Sequence, residues 1–96
     1  MPAITLLGDV CTGHGSWPPR ANVEADDYLT VNGRAAHCVG HGWAVHCNPV
    51  PSCHASALAG GSGYLSVNGR AVGRIGDPVA CGSAVATGDD YLIIED

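Results

Sequence analysis

The chain has 96 residues, a formal net charge of −5 with four Arg and no Lys, and an apolar fraction of 46% that leans on Ala and includes no Phe. That length suits a single domain, residues 1–96, with no room for a separate effector. The charge lacks the basic footprint of a phosphate-backbone binder or of a polybasic membrane contact, and no apolar run is long enough to span a bilayer.

The start, Met-Pro-Ala-Ile, lacks a basic region followed by an apolar stretch, so no signal peptide is read and folding in the cytoplasm is expected. In a reducing compartment five Cys and five His favour metal ligation over disulfides, and the odd Cys count agrees. Fourteen Gly and six Pro point to short strands and tight turns, hence to an all-β fold. An Ala-rich β domain this small needs a staple.

In chain order, Ile4-Thr5-Leu6-Leu7 predicts a short strand running into a turn at Gly8-Asp9, and Gly13-His14 and Trp17-Pro18-Pro19 follow. Ala-Asp-Asp-Tyr-Leu at 25–29 opens an outgoing strand that reaches Asn32-Gly33. That dipeptide tolerates positive φ at both centres of a type I′ turn and so predicts a hairpin, with a return strand from Arg34 to Val39. After Gly40-His41 come His46-Cys47 and Cys53-His54.

The pattern then recurs. Tyr-Leu-Ser-Val-Asn-Gly-Arg at 64–70 repeats Tyr-Leu-Thr-Val-Asn-Gly-Arg at 28–34, and Arg74-Ile75-Gly76-Asp77 matches the turn at Gly8-Asp9. A third outgoing strand opens at Gly-Asp-Asp-Tyr-Leu, 88–92. Repeat copies at about 25–60 and 61–87 are therefore flanked by half-copies at 3–14 and 88–96. Pairing of the two half-copies would complete a third hairpin and a pseudo-threefold object.

One offset rule selects candidate ligands. Six residues beyond Gly8 stands His14, six beyond Gly40 stands His46, and five beyond Gly76 stands Cys81. Three equivalent loops meet at the axis, so these side chains converge. A structural zinc takes four N or S donors, so the fourth must break the symmetry, and His54 is the candidate. Zinc suits the set; iron suits it less. His37, His41, Cys11 and Cys38 read as packed side chains. Cys47 and Cys53 stay open: replacements for a His, thiols beside the metal, or a pair formed on oxidation.

With these residues in view the chain resembles the PAAR-repeat family, tip proteins of type VI secretion spikes and of related phage tail spikes. The shared elements are Gly8-Asp9, Gly13-His14, Trp17-Pro18-Pro19, His46-Cys47, Cys53-His54, Arg74-Ile75-Gly76-Asp77 and Cys81-Gly82. The naming tetrapeptide is Ala35-Ala36-His37-Cys38 in one copy and Ala71-Val72-Gly73-Arg74 in the other, and His41 replaces an expected Asp. The resemblance implies a cone, with zinc near its point on His14, His46, His54 and Cys81. It also implies one copy capping a trimeric β-helical spike protein. The protein would be a monomer when free, assembled in the bacterial cytoplasm and delivered with the spike, or part of a phage tail.

A zinc-dependent hydrolase is the alternative. It needs an open coordination position and a nearby general acid or base, yet neither His-Glu-x-x-His nor the deaminase signature is present. The only two Glu, at 24 and 95, lie away from the ligands in sequence.

Overall fold

The structure, a computed structural model, describes residues 2–15, 17–47 and 53–94. Among these residues there are eight strands and no helix: β1 (Ala3–Ile4), β2 (Asp26–Val31), β3 (Arg34–Ala36), β4 (Gly42–Cys47), β5 (Cys53–Ala57), β6 (Ser66–Val67), β7 (Arg70–Ala71) and β8 (Asp89–Ile93). They pair as four two-stranded antiparallel ribbons: β1–β8, β2–β3, β4–β5 and β6–β7.

Both Asn-Gly turns take the backbone that their sequence calls for. Asn32 and Asn68 have φ of 52° and 51°, and Gly33 and Gly69 follow at 82° and 83°. The third ribbon forms from the chain's two ends, with Ala3 opposite Ile93, as the half-copies predict. The return strands end at Ala36 and Ala71, the first of them short of the predicted Val39. Beyond those points the backbone leaves its own hairpin to bond the neighbouring copies.

Those bonds close a ring. The Thr5 N–H donates to the Gly73 carbonyl, the Gly73 N–H to the His37 carbonyl, and the His37 N–H to the Thr5 carbonyl. A second set repeats the relation: Leu7 N–H to Ala35, Val39 N–H to Ala71, and Ile75 N–H to Ala3. Each residue in a ring holds the same place in its copy, so the three copies are related by a pseudo-threefold axis. Two-stranded ribbons are marginal alone; here each satisfies its leftover backbone groups on the next. Near the axis space is short. A Cβ at Gly73 would sit 2.6 Å from Leu58 Cδ2 and 2.8 Å from Thr5 Cγ2, so this copy carries Gly.

Alternation then sorts the side chains. Ile4, Leu6, Ala36, Val72, Val31, Val67 and Ile94 form one buried cluster, with Leu29, Leu65 and Leu92 packed against it. Tyr28, Tyr64 and Tyr91, one position before those leucines, are 77–87% exposed. Each tyrosine is set by the same local device: its N–H donates to the side-chain oxygen two residues earlier, on Asp26, Ser62 or Asp89.

Three equivalent turns lead out of the hairpin region. Asp9 Oδ2 accepts the Leu6 N–H at 2.8 Å, and Asp77 Oδ2 accepts the Arg74 N–H at 2.7 Å. In the middle copy His41 Nδ1 accepts the Cys38 N–H at 2.9 Å. His41 thus does the work of the missing Asp, and its departure from the repeat costs the turn no cap.

Candidate metal centre

Beyond the turns, the three loops are laced together around a second buried cluster of Cys11, Trp43, Leu58, Val79 and Val85. Isolated antiparallel bridges join Asn22 to Trp43, Leu58 to Val79 and Cys11 to Val85, one for each pair of loops. Each loop thereby aims a metal-type side chain.

His14 is held by reciprocal backbone bonds with Trp17, at 3.0 and 2.8 Å, and its ring stacks on the indole at 5.1 Å. His46 lies on β4 and is buried. Its Nδ1 donates to the Pro18 carbonyl at 2.8 Å, and its Nε2 is turned toward the cluster, 2.6 Å from His54 Nε2. A carbonyl that accepts from Nδ1 fixes the neutral ring in the tautomer that offers Nε2 to a metal. His54 stands opposite His46 in the β4–β5 register. Cys81 sits in the tight turn bridged by Pro78 and Ala84, against the second core, and the Ala80 N–H bonds the Ala57 carbonyl at the end of β5.

The ligand atoms of His14, His46, His54 and Cys81 all lie within 4.8 Å of one another. His54 Nε2 is 3.0 Å from His14 Nε2 and 2.6 Å from His46 Nε2, and Cys81 Sγ is 4.0 Å from His46 Nε2. Zinc bonds of about 2.0–2.1 Å to N and 2.3 Å to S set tetrahedron edges of roughly 3.3–3.6 Å. The observed separations fall on both sides of that range, so three imidazole nitrogens and one thiol sulfur stand close enough that small side-chain shifts would bring them onto one ion, and the group could hold a metal. Burial, then the neighbouring His46 and His14, push the His54 imidazole below its ordinary range. That favours the neutral ring which coordination needs. A bound zinc would supply a rigid four-way cross-link between loops.

The predicted set therefore comes together as one group, His54 supplying the symmetry-breaking member. It does so from a β4–β5 hairpin that sequence reasoning missed. The signal for it was present: Trp43 and Val45 are strand-favouring residues, and Cys47 and Cys53 flank a Pro-containing stretch. Cys47 and Cys53 form a disulfide, which corrects the expectation that the cysteines favour ligation over disulfides. The register places them directly opposite each other, and neither belongs to the metal group.

The remaining candidates are structural. Cys11 and Cys38 are buried free thiols, and burial pushes Cys38 up to about 11. His37 is fully buried, donates from Nδ1 to the Glu24 carbonyl at 2.7 Å, and has no partner for Nε2 among the described residues. Burial pulls it down to about 4.

A family model for the PAAR motif matches residues 8–87 of the 96. The chain belongs to the PAAR-motif family. That motif is associated with spike-tip proteins of type VI secretion and related systems, and the family is structural rather than enzymatic. A search of curated proteins gives no match. The matched span begins at the first Gly-Asp turn and runs past Cys81, so it contains all four candidate ligands.

Proposed function

We propose that this PAAR-motif chain is the tip of a contractile injection spike, of type VI secretion or of a phage tail. A single copy caps a trimeric β-helical spike protein and sharpens it for envelope puncture. The ring of backbone bonds through Thr5, His37 and Gly73 carries this reading, because one chain with three equivalent faces matches the blunt end of a true trimer. The three exposed tyrosines support it: large aromatic groups set in matching positions are the kind that anchor interfaces. Zinc on His14, His46, His54 and Cys81 would tie the loops at the leading end. Assembly would take place in the bacterial cytoplasm, with delivery outside on the spike, and the free protein would be a monomer.

Catalysis finds little support in the same site. Four protein donors fill a tetrahedral ion and leave no position for water. Glu24 is committed to the Gly42 N–H through Oε1.

Native mass spectrometry of this protein mixed with its spike trimer tests the reading. One copy on three spike subunits is expected, and Tyr64→Asp should weaken that complex while leaving the monomer folded. A homotrimer of this chain alone, or three copies on three subunits, would show that the repeats do not match the spike one to one.

A further inference from the structure

We propose that the Cys47–Cys53 disulfide positions the metal centre, and that its reduction lowers the affinity for the ion. The β4–β5 register sets His46 opposite His54 and, one pair further along, Cys47 opposite Cys53. Two of the four candidate ligands therefore lie directly beside a covalent clamp. Successive residues on a strand point to opposite faces. His46 is buried, whereas Cys47 and Cys53 are exposed, so the clamp grips the hairpin from outside and leaves the coordination sphere to the imidazoles.

The hairpin needs that grip. β4 also bridges Asn22 through Trp43, and Ala57 of β5 accepts from the Ala80 N–H, but both contacts lie at the end away from the cysteines, and Val45 on the outer face is 56% exposed. Apolar packing therefore does little to hold the strands at their far end. A two-stranded ribbon with one solvated face is marginal by itself. The cross-link fixes the separation of His46 and His54 before an ion arrives, and preorganised ligands bind tighter than ligands that must be gathered.

The exposed sulfurs are also open to exchange. A dithiol reductant supplies two electrons and two protons: its own sulfurs join as a disulfide while the Cys47–Cys53 bond breaks to two thiols. The centre would then be firm in oxidising surroundings and looser in reducing ones.

This inference rests on the metal-centre reading above, and the test separates the two. Zinc affinity is measured by competition with a chromophoric chelator, on the oxidised protein and on protein reduced with a phosphine, which takes oxygen from water to become its oxide. Mass spectrometry confirms the gain of two hydrogens. Reduction should weaken zinc binding about 10-fold or more, the scale of losing an orienting contact around a metal. The C47S/C53S double variant should match the reduced protein and ignore the phosphine. Ile4→Ala, which loosens the fold from the hairpin side, should leave affinity unchanged, so positioning is distinguished from general destabilisation. Equal affinity in both redox states, or tighter binding after reduction, would overturn the clamp. Absence of zinc binding in either state would overturn the metal reading and the clamp with it.

Discussion

Around Ile4, Leu6 and Val72 three hairpins close on one another through apolar packing and rings of backbone hydrogen bonds. Around His46 three loops meet instead at polar side chains, beside a small cluster that includes Cys11 and Trp43. The first region obeys the repeat; the second departs from it wherever chemistry demands. Burial is satisfied by three equal contributions, but a tetrahedral ion wants four donors, so one loop must carry an extra hairpin for His54. Symmetry serves packing, and its local failure serves the metal.

The comparison breaks most sharply if the metal side is dismantled. Cys81→Ser removes the sulfur donor, and structural zinc is worth about 10 kcal/mol or more in small metal-dependent domains. The variant should lose its ion and melt far lower, while Cys11→Ser, off the ligand group, should keep its ion. Ile4→Ala cuts into the hairpin side and should cost about 2–5 kcal/mol in chemical denaturation, with the metal content intact. If both variants lose the metal together, the two regions are one cooperative unit and the distinction drawn here fails.

Acid sharpens the contrast within the hairpin side. His37 is held neutral by burial, its value lowered from 6.5 to about 4, and burial together with the Arg70 charge lowers His41 as well. The unfolded chain takes up protons that the folded chain refuses. Stability from His37 is therefore complete above about pH 6.5 and fades as pH falls toward 4, by roughly 3 kcal/mol. Denaturant titrations of the wild type and of His37→Asn, run side by side at the same zinc concentration, should differ by that slope, because protonation of the metal ligands is common to both. His37→Asn keeps a donor for the Glu24 carbonyl and cannot charge, so its profile should be flatter; an unchanged slope would place the effect elsewhere.

The smallest expected effect lies at the turns that join the two regions. Asp77 caps the Arg74 N–H and pairs with its guanidinium at 2.9 Å. Asp77→Ala should cost about 2 kcal/mol and Asp77→Asn, which can still accept from the N–H, clearly less. Equal losses for the two would mean that the ion pair, not the cap, holds the turn.

Much of this was legible in sequence, unevenly. Asn32-Gly33 and Asn68-Gly69 encode their turns locally, and the matched septets encode equivalence, so the hairpins and the pairing of the chain's ends could be read directly. The offset from Gly8, Gly40 and Gly76 to a His or Cys encodes three of the ligands because equivalent turns launch loops toward one place. The strand ends could not be read, since Ala36 and Ala71 stop pairing where contacts between distant copies take over. The β4–β5 hairpin was missed because it has no copy elsewhere in the chain. Its disulfide depends on a cross-strand register, which sequence separation alone does not give.

Elemental analysis of the protein purified without chelator decides whether a metal holds the three loops together. About one zinc per chain is expected, lost together with most of the stability when a strong chelator is added. A fully folded, metal-free protein whose melting is indifferent to zinc would contradict that role.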